Sequence, residues 1–304
     1  MQGLFSLQAV KGNETYSFID HTHRNISEGW IGLNNRVDLF FSNQTDQAVK
    51  SKSMIMAYYG AEKTEGAQLS YNFDIKIRVD LSRTAKRLKI VIEKERDDIF
   101  EATQSRADNI KNNAGGSSNE VLEQSNYIAG ITYLLFDSEY FETHGDLGMK
   151  ILLPLDPFMK LKFFRELTTD FMHIFISQKF ILYRQEGFSE VTSLSFSKKL
   201  SSFFSLEQLN SLSWQDKNDK FALRHSLSLY QRLDDRRSWV YTLGANGEIS
   251  PVFNYTSYDA SLAYRKLLYG QWLFGHMTLG GEFKKERDFA MTNFIQGRIV
   301  VYFK

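Results

Sequence analysis

The sequence predicts an all-β chain closed into a transmembrane, antiparallel up-and-down β-barrel of about fourteen strands, preceded by a short helical segment. Three observations predict it. Apolar and polar residues alternate with a period of two over runs longer than the strands of ordinary globular proteins. Such runs recur to the C-terminus. No stretch approaches the roughly 18 consecutive apolar residues that a membrane helix needs, so any crossing must be made by strands.

Composition narrows the function classes. The chain has 304 residues with 37 basic and 36 acidic side chains, a net charge of +1. That balance gives no reason to expect nucleic acid or another polyanion as partner. With no cysteine, disulfides, thiolate catalysis and cysteine-held metals are all excluded. The opening Met1-Gln2-Gly3-Leu4 has neither the basic nor the apolar region of a signal peptide. An outer-membrane chain needs a leader, so one is expected to have been removed.

Residues 1–50 form the expected N-terminal segment, placed on the periplasmic side. From Ser27 onward, Trp30, Leu33, Val37 and Phe40 fall at helical spacing. An amphipathic helix entering the first strand would close the barrel floor, plug the lumen or dock a partner. His21 and His23 would share one side of an extended segment, but no third ligand accompanies them and no metal site is assigned.

Residues 51–304 form the barrel. Leu69, Tyr71, Phe73, Ile75, Ile77, Val79 and Leu81 alternate with Ser70, Asn72, Asp74, Lys76, Arg78 and Asp80. One face of that strand is apolar and the other polar, a pattern no helix buries. Its length exceeds the roughly 9–11 residues a tilted strand needs to cross a bilayer. Met172, Ile174, Ile176, Phe180 and Leu182 make another apolar face, as do Phe221, Leu223, Leu227, Leu229 and Leu233. Leu273, Met277, Leu279 and Phe283 follow, and then Phe289, Met291, Ile295, Ile299, Val301 and Phe303. The count is about fourteen, or twelve if the segments near Met54 and Leu147 are not strands.

Tight links are expected at Thr168–Asp170, Leu200–Ser202, Asp234–Asp235 and Tyr269–Gly270. Longer or more polar links alternate with them at Asp97–Ser125, Asp216–Asp219, Asn246–Thr256 and Lys284–Asp288. Short turns mark the periplasmic end, so both termini are assigned there. An inner aromatic girdle would hold Tyr269, Trp272, Trp239, Phe171 and Phe303. An outer one would hold Trp214, Phe221, Tyr183, Phe188, Tyr258 and Phe289. The environment implied is outer-membrane lipid and lipopolysaccharide in a Gram-negative bacterium.

Catalysis finds little support. Arg224-His225-Ser226 holds the one His-Ser neighbour pair, and adjacent strand residues point to opposite sides. No catalytic constellation and no cofactor motif is recognised. The charges say more. Asp74, Lys76, Arg78, Asp80, Glu93, Arg224, Arg232, Asp259, Arg265, Glu282 and Arg298 alternate with apolar residues, as do Lys160 and Lys162. With the apolar residues in lipid, these charges line the lumen, because a basic side chain facing the bilayer midplane costs about 2–4 kcal/mol. Two functions follow: a passive channel for small solutes with a mixed-charge lumen, or a non-conducting barrel that docks a periplasmic or surface protein.

Several stretches carry a resemblance. They are Asn35-Arg36-Val37-Asp38-Leu39-Phe40-Phe41, Phe73 to Leu81, Leu153-Pro154-Leu155-Asp156-Pro157, and Tyr264 to Tyr269 leading into Trp272-Leu273-Phe274. Together they resemble a family of uncharacterised proteobacterial outer-membrane proteins of porin-like architecture, over most of the chain after about His21. This chain is richer in lysine and poorer in glycine than that family. The resemblance implies a location and a barrel, and no activity.

Overall fold

Strands that alternate apolar and polar residues over their whole length can bury neither face alone, and a closed cylinder in lipid gives each face its own medium. The computed structural model shows that solution. It describes residues 18–33, 35–36, 53–81, 88–94, 127–151, 154–217, 219–249 and 252–303. A helix, α1, covers residues 18–33 and is still helical at 35–36. Fourteen strands follow. They are β1 (Met54–Thr64), β2 (Ser70–Asp80), β3 (Leu88–Lys94), β4 (Tyr127–Asp137), β5 (Phe141–Lys150), β6 (Asp156–Thr168) and β7 (His173–Tyr183). Then come β8 (Gly187–Lys199), β9 (Phe204–Gln215), β10 (Lys220–Arg232), β11 (Arg237–Ile249), β12 (Phe253–Tyr269), β13 (Leu273–Lys284) and β14 (Met291–Phe303).

Each strand pairs antiparallel with its sequence neighbours, and β1 pairs with β14 from Ile55↔Phe303 to Thr64↔Phe294, which closes the barrel. The segments near Met54 and Leu147 are strands β1 and β5, so the count is fourteen rather than twelve. Among the described residues no helix is long and apolar enough to cross a membrane.

Side-chain exposure settles which face looks where. Phe73 is 57% exposed and its neighbour Asp74 only 1%. Leu243 and Met159 are exposed, while Lys160 and Lys162 are buried. Among the described residues, 21 buried side chains are polar or charged and 12 are apolar. A soluble barrel has the opposite partition, so the outer face is built for lipid.

Both barrel ends of the chain, Ser53 and Phe303, lie at one rim, here the terminal end. Five of its turns are short: 138–140, 169–172, 200–203, 233–236 and 270–272. At the opposite rim the expected long link over Asn246–Thr256 is absent. β11 runs to Ile249 and β12 begins at Phe253, leaving residues 250–252 as the link. The register shift between Asn246 and Gly247 explains the misreading. A bulge adds one residue and breaks the alternation, while hydrogen bonding continues. The link Asp97–Ser125 lies outside the described residues.

The aromatic bands fall largely where expected. Phe188, Trp214 and Phe221 form a continuous outer row toward the opposite rim, with centroids 6.0 and 6.3 Å apart. Trp239 packs on Tyr264 at 4.7 Å toward the terminal rim. Tyr183 does not belong to the outer girdle. It is 4% exposed, its ring lies under Lys150 Nζ at 4.1 Å, and the parity of β7 turns it inward with Ser177, Lys179 and Ile181.

Gly280 of β13 lies opposite Phe294 of β14, whose ring folds over it. A Cβ added there would stand 2.4 Å from the Phe294 ring and 2.7 Å from the Ala260 carbonyl oxygen. Gly280→Val should therefore destabilise the folded barrel by about 1–3 kcal/mol. Urea unfolding of the refolded protein in micelles, followed by tryptophan fluorescence, measures it, and an unchanged midpoint would contradict the packing described.

Candidate functional site: the polar interior of the barrel

The inward positions of β2 to β7 carry charges that pair across neighbouring strands. Lys76 Nζ lies 2.6 Å from Glu93 Oε2, both nearly inaccessible. Asp74 accepts hydrogen bonds from the Tyr58 hydroxyl and from the Tyr127 hydroxyl, the latter at 2.7 Å. Farther round, Lys162 pairs with Asp146 at 2.7 Å and Lys150 with Glu186 at 2.6 Å. Lys160 caps the Phe158 ring at 4.5 Å. Strand parity brings these groups together: each sits on an alternate residue, and the antiparallel register sets opposite charges side by side.

The wall from β8 to β11 is lined by hydroxyls. Ser193, Ser195 and Ser228 are buried. The Ser195 hydroxyl donates to Glu207 at 3.1 Å and the Tyr230 hydroxyl donates to the same carboxylate at 2.9 Å. Glu207 and this serine ladder were not singled out from the sequence. Its signal was present: Ser189, Ser193, Ser195 and Ser197 occupy alternate positions of β8, each on the face opposite Phe188, Leu194 and Phe196.

On β10 to β14 the charges separate along the barrel axis. Toward the opposite rim, Asp259 and Glu282 face each other across β12 and β13. Arg224 approaches Asp259 at 3.7 Å and Lys284 approaches Glu282 at 3.5 Å. Toward the terminal rim, Arg265, His276 and Arg298 stand in direct register across β12, β13 and β14. Two like charges held this close on one face destabilise a sheet, so the arginines on either side of His276 need support. It comes from rings: Arg265 lies over Phe274 at 4.3 Å and Arg298 over Tyr58 at 4.7 Å. Gln296 accepts from Arg298 at 3.4 Å. His276 Nε2 and Arg298 Nε are buried without a hydrogen-bond partner among the described residues. His276 had no assigned role in the sequence, because only the register shows it between two arginines.

The remaining candidates sit nearer the rims. Arg78 occupies an inward position of β2, and the Asp80 backbone N–H donates to Ser53 Oγ at 2.7 Å. Arg232 ends β10, half exposed, with Asp235 3.8 Å away. In the adjoining turn, hydrogen bonds from Arg237 and the Arg236 backbone hold the Asp234 carboxyl below the ordinary carboxylate range.

Helix α1 packs on the terminal rim, but on a different face from the one expected. His23 stacks on Trp272 at 4.0 Å and on Phe303 at 5.1 Å, and its Nε2 hydrogen-bonds the Tyr302 carbonyl oxygen at 2.8 Å. The Tyr269 hydroxyl donates to Asp20. Ser27 and Trp30 continue this buried face at helical spacing, whereas Leu33 is 53% exposed. Val37 and Phe40 lie outside the described residues. Since His21 and His23 are helical rather than extended, residues two apart point to different sides and cannot share a metal. Among the described residues no group of three or more His, Cys, Asp or Glu could hold a metal ion.

No family model and no curated protein matches the chain. Solved structures do. A loop-deletion mutant of OmpT, an outer membrane protein of Vibrio cholerae, aligns over 84% of this chain and 100% of its own, at 7% identity and a TM-score of 0.52. The chain shares the closed β-barrel fold of that protein. OmpT itself, expressed in the outer membrane of Vibrio cholerae, aligns over 85% and 99% at 7% identity with a TM-score of 0.48. The outer membrane channel DcaP of Acinetobacter baumannii aligns over 86% and 100% at 7% identity with a TM-score of 0.46. At such identity the first likeness is one of fold, and the interior chemistry must be read from this chain's own residues.

The Lys76–Glu93 pair gives that chemistry a test. Removing one partner leaves a buried charge, so Lys76→Met should cost about 3–5 kcal/mol. Lys76→Met combined with Glu93→Leu should recover most of the loss. Urea midpoints of the single and double variants measure the difference, and equal midpoints would show that the pair is not coupled.

Proposed function

We propose that the barrel is a passive channel for small solutes, that its lumen is lined by charges of both signs, and that the row Arg265–His276–Arg298 favours anions. The observation that supports this most is the row itself. Two arginines and the histidine between them project inward in register, and His276 Nε2 and Arg298 Nε take no hydrogen bond from the described residues. A dry, salt-bridged interior would pair such donors. An aqueous path hydrates them and offers them to passing anions. Fourteen strands also enclose more space than the eight whose side chains fill a barrel. In this reading the terminal rim is periplasmic and α1 narrows that mouth.

A second reading has its own observation. On α1, Phe18, Ile26 and Leu33 are exposed along one stripe beside the buried face. An apolar stripe left open on a rim helix suits a barrel that docks a periplasmic or surface protein instead of conducting.

Planar-bilayer recording of the refolded protein separates the two. Stable ohmic steps are expected, enlarged when residues 1–43 are deleted. In a salt gradient, Arg265→Ala with Arg298→Ala should shift the reversal potential toward cation preference, with folding checked by heat-modifiable gel mobility. Silence from correctly folded protein, with and without residues 1–43, would overturn the channel and leave the docking reading.

A further inference from the structure

The outer face of the barrel carries one polar region at mid-depth. Gln178, Glu190, Thr192, Gln208, Asn210 and His225 occupy outward positions on the consecutive strands β7, β8, β9 and β10. Their parity is that of Leu182, Phe204, Phe221 and Leu227, which are exposed, and opposite to that of the buried Ser177, Lys179, Ser193, Glu207 and Ser228. Gln178 is the sixth of 11 residues in β7, Thr192 the sixth of 13 in β8, Asn210 the seventh of 12 in β9 and His225 the sixth of 13 in β10. Outward polar residues elsewhere, such as Lys63, Arg165 and Lys198, lie near strand ends, where a long side chain reaches the interface. Between the ends, the outward residues of β2, β11 and β13 are apolar or glycine.

These groups are joined sideways but not satisfied. The Gln178 amide donates to Glu190 Oε1 at 2.7 Å, and the Thr192 hydroxyl donates to Gln178 Oε1 at 2.6 Å. His225 Nδ1 donates to Asn210 Oδ1 at 2.7 Å. Glu190 Oε2 and His225 Nε2 take no hydrogen bond from the described residues. In hydrocarbon such groups find neither water nor a partner. A neighbouring polypeptide supplies both donors and acceptors, which is how polar residues join membrane proteins together.

We infer that the β7–β10 face is an interface between two copies of this chain. Copies inserted in the same direction are related by an axis along the membrane normal, and such an axis preserves depth. A two-fold rotation about that axis therefore sets a mid-depth polar region on one copy against the same region on the other. The region also holds both a carboxylate and an imidazole, besides carboxamides and a hydroxyl, so two identical surfaces offer each other donors and acceptors. This is the self-complementary patch that a two-fold interface requires. A closed barrel has no free strand edge, so side chains must make the contact.

The absence of cysteine makes the test direct. Leu212→Cys places a thiol beside Thr192 on the outer face, and Ile295→Cys places one on β14, on another wall. Copper-phenanthroline oxidation of the full-length variants in native membranes should link Leu212→Cys into a band of twice the chain mass and leave Ile295→Cys monomeric. In lipid nanodiscs the wild-type protein mass should be that of two chains. It should halve in the triple variant Gln178→Leu, Glu190→Leu and Asn210→Leu, which keeps heat-modifiable mobility as the sign of a folded barrel. A single-chain mass for the wild type, equal cross-linking at both positions, or a disulfide product with a different protein would overturn the inference. None of these readouts depends on conductance.

Discussion

The pairing of β1 with β14 is the contact on which the rest of this molecule depends. In hydrocarbon, an unpaired backbone N–H or C=O has no water to turn to, and each costs several kcal/mol. Thirteen hairpin pairings can form between sequence neighbours, but they leave two edges exposed. Only the seam from Ile55↔Phe303 to Thr64↔Phe294 removes both. Once it forms, the cylinder assigns the two faces of every strand at once, because a residue cannot change side without shifting the register of its neighbours. The ion pair between Lys76 and Glu93, the serine ladder of β8 and the lipid contacts of Phe73 are consequences of that closure.

Much of this was written in the alternation. Leu69 to Leu81 gives strand β2, and the recurrence of such runs to the C-terminus gives the fourteen-strand barrel. What escaped detection depends on information a single strand does not contain. Tyr183 was placed in lipid because aromatic residues favour interfaces, yet its parity within β7 sets it beneath Lys150. The bulge at Thr256 of β12, opposite Asn246 and Gly247, broke the rhythm and made a strand look like a loop. On α1, spacing alone favoured Leu33 as a partner for Trp30. The rim offered a stacking surface to His23 instead, and the helix turned to meet it. His276 gained meaning only when the register set it between Arg265 and Arg298.

The interior and the exterior use polar residues in opposite ways. Inside, most charges have a partner one strand away, and His276 Nε2 and Arg298 Nε, which take no hydrogen bond from the described residues, lie toward one end of β13 and β14. Outside, among the described residues, polar side chains lie at the rims and in one region of β7 to β10. Both departures sit where the local rule for a strand is broken without repair within the chain. In a sequence otherwise consistent from strand to strand, these are the positions at which the proposed channel and the inferred interface each place another molecule.

The docking of His23 on Trp272, Phe303 and the Tyr302 carbonyl has a bearing on persistence. The seam joins the two strands most distant in sequence, so it is the pairing whose closure costs the most chain entropy. It is also the natural place for the cylinder to come apart, like a zip opened from its end. The terminal rim is where that opening would start, and there the last residues of β14 are held by a helix that precedes β1 in the chain. Separating the two edges requires the helix to release them first, so the latch adds to the unfolding barrier more than to the folding rate. A barrel held in this way is slow to open even where the balance between its folded and unfolded forms is narrow.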